Sequence, residues 1–178
     1  MGAVKFFLAL ILTFAGLTCA AQELETIPWS ADRKLQWSDF KGSYLKTEWA
    51  AATTATSISY SLSVEETGGR QIVSIDVGCE FFPEKSWYRP ELCDSIILSH
   101  EQLHFDIAEL HARKLRKKLA ETQFTENIRE EIREIYDDML KRLYIFQNKY
   151  DRETNFSRNL QQQLLWNQMI AKELNISS

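Results

Sequence analysis

The chain has 178 residues, 44% of them hydrophobic and 26% charged, with only three prolines and six glycines. That composition excludes collagen-like and broadly disordered chains, and the length suits one domain of ordinary size. A net charge of −4 gives no reason to expect a nucleic-acid partner.

The N-terminus reads as an export signal. Lys5 supplies the positive charge, and "FFLALILTFAGL" over residues 6–17 is an apolar run too short to span a bilayer comfortably. Small residues follow at Thr18, Cys19, Ala20 and Ala21. Cleavage after Ala21 would leave residues 22–178 as one mature domain without a transmembrane helix. A lipoprotein signal, with Cys19 retained and lipidated, is the alternative, and Thr18 fits poorly before such a cysteine. Either route places the chain outside the cytoplasm, in the periplasm or beyond. In an oxidising compartment Cys79 and Cys93 form an even pair, so a disulfide is expected between them, against the alternative of two buried free thiols.

Residues 22–48 look irregular, with scattered aromatics (Trp29, Trp37, Phe40, Tyr44), and "LQWSDFKG" ends in a glycine that suits a turn. "SISYSLSV" then alternates with period two, placing Ile58, Tyr60, Leu62 and Val64 on one face. After "EETGGR", "IVSIDVGCEF" alternates again through Val73, Ile75, Val77, Cys79 and Phe81. Two such runs joined by a Gly-Gly turn predict an antiparallel hairpin with one wet face.

From Pro90 the period becomes helical. Leu92, Ile96, Leu103, Ile107 and Leu110 mark a first helix reaching about Leu119. A second is expected from about Glu126 to Lys149, with Ile128, Ile132, Ile135, Met139, Leu143 and Phe146 on its buried stripe. "YDRETNFS" reads as a break, and a third helix carries Leu160, Leu164, Trp166, Ile170 and Leu174. The basic end of the first helix (Arg113 to Lys118) and the acidic start of the second (Glu126 to Glu134) complement the helix dipoles, which favours a solvated helical hairpin over a membrane or nucleic-acid surface.

All three histidines lie at positions 100, 104 and 111 of the first helix. His100, Glu101 and His104 spell H-E-x-x-H. On a helix the two histidines stand about 6 Å apart on one face, where their imidazoles can share a zinc ion, and Glu101 between them can serve as general base for a water. His111 points the same way but lies roughly 16 Å further along the axis, too far for the same ion. Glu109 points to the opposite face. A third ligand must therefore come from another element.

"HEQLHFDIAELHARKL", with "LQWSDFKG" upstream, Ser86–Trp87 and "YDRET" downstream, resembles the bacterial domain of unknown function 922 family over about Trp29 to Trp166. That family is described as proposed secreted zinc-dependent proteases related to the zincins. The resemblance implies an α+β zincin-like fold, a small antiparallel sheet packed on the H-E-x-x-H helix with two further helices. It also implies a peptide or protein substrate, with the second hairpin strand, residues 71–82, lining the cleft. In the family the segment after "YD..T" offers a histidine; here Phe156 stands there, followed by Ser157. Asp151 or Glu153 would then supply an oxygen ligand, or the metal would be held weakly by two ligands, or catalysis has been lost and the fold kept; Asp151 could instead orient a ligand. The expectation is an exported zinc metallopeptidase. The alternatives are a catalytically impaired envelope protein that binds a peptide or partner, and a metal-handling module without a cleft.

Overall fold

A computed structural model describes residues 24–44, 50–68 and 70–176. The export segment, Cys19 included, lies outside these residues.

The hairpin forms where the alternation places it: β3 (Thr56–Thr67) pairs antiparallel with β4 (Arg70–Phe81), in a register that sets Ile58 opposite Cys79 and Val64 opposite Val73. Three short strands come from stretches with no alternation. β1 (Ile27–Pro28) adds to the far side of β4, giving the order β1-β4-β3, and β2 (Ala52–Thr53) pairs with β5 (Trp87–Tyr88) in a second small sheet. Gly42 brings its own stretch hard against the loop before β5. Its N–H donates to Ser86 O at 2.8 Å, and a Cβ there would sit 2.8 Å from the same oxygen, a contact no side chain permits.

Helix α1 (Ser95–Glu121) starts five residues later than Pro90 suggests. The start is set by Asp94, whose side chain accepts from the backbone of Ile96 and Ile97 and so caps the first turn. Pro90 belongs to the preceding turn. Helix α2 (Ile128–Thr154) runs five residues past the expected end, since "YDRET" contains no helix breaker. It stops at Asn155 in a left-handed conformation (φ 48°), followed by Phe156 (φ 51°) and Ser157 (φ 70°). Three consecutive non-glycine residues there store backbone strain, of order 1–3 kcal/mol each. Helix α3 (Leu160–Ile176) closes the fold.

Helix α1 is the axis of the molecule. One face packs on the hairpin: Phe105, Ala108, Ala112 and Leu115 meet Ile58, Cys79 and Phe81, with Ile132 and Met139 of α2 completing the cluster. The opposite face builds a second core, in which Leu103, Ile107 and Leu110 meet Tyr150 of α2 and Trp166, Ile170 and Leu174 of α3. The hairpin's distal end projects beyond this support, and Val64 and Val73 are exposed there.

The expected disulfide does not form: Cys79 and Cys93 are both free. Cys79 is sealed between sheet and α1, whereas Cys93 donates its S–H to the Ala51 carbonyl at 3.3 Å. Burial raises the pKa of both thiols, which suppresses the reactive thiolate.

Candidate metal centre

The second and third turns of α1 carry His100, Glu101 and His104, and the last turn of α2 carries Asp151. Antiparallel packing of the two helices brings them together. Asp151 Oδ1 lies 3.2 Å from His100 Nε2 and 3.0 Å from His104 Nε2. The three ligand atoms lie within 4.8 Å of one another. Tetrahedral zinc with ligands at 2.0–2.2 Å sets its donors about 3.4 Å apart. Two imidazoles and one carboxylate gathered this closely are a donor set that would suit such an ion.

The ring geometry is enforced. His100 stacks on Tyr150 (4.5 Å between centroids, 23° between planes) and meets His104 edge-on at 4.9 Å. His104 meets Tyr150 edge-on in turn. The Gln147 amide donates to the His104 carbonyl at 3.3 Å. Burial opposes ionisation of Asp151, but hydrogen bonds from His100 and His104 outweigh it and hold the carboxyl well below the usual carboxylate range. Burial likewise disfavours a charged His104, yet its hydrogen bond to Asp151 and the charge of Glu101 raise its pKa. The centre is thus a pair of imidazoles facing a committed anion.

Glu101 is 6% exposed and lines the same pocket. Among the described residues no group hydrogen-bonds its carboxylate, so it is available to a molecule in the pocket. The pocket holds about 500 Å³. Its walls include Ala50–Thr54, Leu92 before α1, Ile97 in the first turn of α1, and Phe156–Arg158 after α2. The Thr54 hydroxyl is buried without a hydrogen-bond partner among the described residues.

Other expected site residues fall elsewhere. Glu153 turns away from the histidines: it accepts from Trp166 Nε1 at 2.9 Å and lies 3.7 Å from Lys149 Nζ. Phe156, 52% exposed, is pocket wall. Strand β4 does not line the pocket: as the middle strand it has neighbours on both edges, and β2 occupies the position expected of it. Glu109 is buried in ion pairs with Arg113 and Arg116, and the buried His111 bonds through Nδ1 to the Ile107 carbonyl at 2.8 Å. Residues 50–54 and Gln163, which lies 2.9 Å from His100 Nδ1, escape a reading of the sequence because no local pattern marks them.

Residues 86–158 match the model of a bacterial protein family of unknown function, DUF922. The match spans the motif helix, Asp151 and the strained turn after α2. It is narrower than the stretch from Trp29 to Trp166, and leaves out the hairpin, the 50–54 wall and α3. No curated protein and no solved structure matches the chain. Among the described residues no helix is long and apolar enough to cross a membrane.

Proposed function

We propose that this chain is an exported, zincin-like zinc metallopeptidase. The observation that carries the reading is the convergence of His100, His104 and Asp151 on the floor of an open pocket, with an uncommitted Glu101 beside them. A bound zinc ion supplies Lewis acidity towards a peptide carbonyl and lowers the pKa of water towards neutrality. His100, His104 and Asp151 would hold it. Glu101 takes the proton from the attacking water and passes it to the leaving amine. Strand β2 has β5 as its strand neighbour among the described residues, and its residues line the pocket. An extended peptide would pair along it, through main-chain hydrogen bonds at residues 51–54. Leu92, Ile97 and Phe156 offer apolar contact to its side chains. Export rests on Lys5 and the apolar run at residues 6–17.

Zinc-loaded protein presented with a broad peptide library is expected to cleave it. Glu101→Gln should lower the rate on the order of 10²–10⁴-fold while keeping the metal, as loss of a general base does. Zinc-replete wild-type protein that cuts no peptide would overturn the peptidase reading and favour a peptide-binding module on the same cleft.

A further inference from the structure

We propose that Gln163 of α3 is the positioning residue that sets the tautomer of His100 and thereby turns its Nε2 lone pair towards the metal position. The inference rests on the metal reading above and extends it to an element outside the family match.

Gln163 is a buried amide, 4% exposed, in a cluster otherwise built from Leu103, Ile107, Tyr150, Trp166 and Ile170. An amide in apolar surroundings is costly unless its hydrogen bonds are made. Here both ends of the amide are bonded. Oε1 accepts from His100 Nδ1 at 2.9 Å. Nε2 donates to Asn167 Oδ1 at 2.9 Å and to the Tyr150 hydroxyl at 2.7 Å. Asn167 is held by donating to Ser99 Oγ at 3.0 Å, and the Tyr150 hydroxyl has two acceptors in reach, Gln163 Oε1 at 2.9 Å and the His100 carbonyl at 3.2 Å. The chain of bonds starts and ends on α1 and holds both ring and backbone of His100.

The chemistry follows from the two ring nitrogens. A proton kept on Nδ1 by the Gln163 acceptor makes Nε2 the metal-binding nitrogen: an ion would displace the hydrogen that Nε2 turns to Asp151 and take up its lone pair. A ring that kept its Nε2 hydrogen would present an N–H to the ion and could not bind it. Helix α3 therefore does more than fill the second core. Its first turn, where Gln162 N donates to Asn159 Oδ1, carries the amide to the back of the ring.

The test uses the full chain as wild type, Gln163→Leu and Gln163→Glu, with His104→Ala as the control for loss of a ligand. Zinc affinity is read by chelator competition, and the His100 tautomer by nitrogen–proton correlation across the imidazole ring in metal-free and zinc-loaded protein. Leucine removes the acceptor and should weaken zinc on the order of 10–100-fold. Glutamate keeps an acceptor oxygen, and should hold affinity close to wild type with Nδ1 still protonated. Equal affinity in Gln163→Leu and wild type would overturn the proposal. So would equal weakening by Leu and Glu, which marks a packing role alone. Should Gln163→Leu fail to fold, the Glu variant and the wild-type tautomer still decide. Wild-type protein that takes up no zinc refutes the metal reading instead. The metal-free spectrum then judges Gln163 by itself: a protonated Nδ1 supports the role, and an unprotonated Nδ1 refutes it.

Discussion

Helix α1 carries the same polar residue types at two places, and they are wired in opposite ways. Near its N-terminal end, His100 and His104 point their Nε2 atoms at a shared carboxylate on the floor of an open pocket, and Glu101 has no hydrogen-bond partner among the described residues. Two turns on, Glu109 is closed off by Arg113 and Arg116, and His111 is capped by its own helix and packed on Phe146. Residue type alone does not separate the two. What separates them is whether the partners are supplied locally, which spends the group on the fold, or by α2 and α3, which holds it towards open space.

That contrast can be broken from either end. The larger effect is expected at Glu109. Glu109→Ala removes the carboxylate that pairs with Arg113 and Arg116 and should destabilise the fold by about 2–3 kcal/mol, below the usual range for a broken buried pair because Arg116 is 40% exposed and both arginines keep a backbone-carbonyl bond. Urea unfolding measures it, and zinc affinity of the folded variant should be unchanged. A variant of full stability that has lost zinc would reverse the assignment of the two regions.

The smaller effect concerns pH. Burial lowers the pKa of His111, and the nearby Lys114 adds to this against the pull of the Ile107 carbonyl. The unfolded chain therefore binds the proton first as pH falls. Stability from this group is complete above the ordinary histidine value of about 6.5 and is lost as pH drops through the lowered folded value. His111→Phe should flatten that acid-side decline in urea melts repeated across the window. An unchanged slope would place the titration elsewhere.

The hairpin, the three helices and the shared face of His100 and His104 were legible in the sequence because each repeats a local period. Which carboxylate meets the two histidines was open in the sequence between Asp151 and Glu153, beside a pair left without a third partner. The end of α2 decides that choice, and polar residues free of glycine or proline say little about where a helix stops. Asp151 is one turn beyond His104's neighbour Gln147, whereas Glu153 lies two positions further round and meets α3. The anchoring of residues 50–54 was not legible at all. It depends on long-range bonds such as Ala55 N to Ser86 Oγ and Arg89 N to Ala51 O, which leave no periodic trace. The disulfide expectation failed for a similar reason: an even cysteine count says nothing about which way each thiol faces.

The central claim is that His100, His104 and Asp151 form one metal centre. Metal analysis of the purified wild-type chain beside His104→Ala and Asp151→Ala, each dialysed against trace zinc, tests it most directly. About one zinc per wild-type chain is expected, as for a single tetrahedral site, with marked loss in both variants. Wild-type protein without zinc, or Asp151→Ala protein that retains the wild-type content, would contradict it.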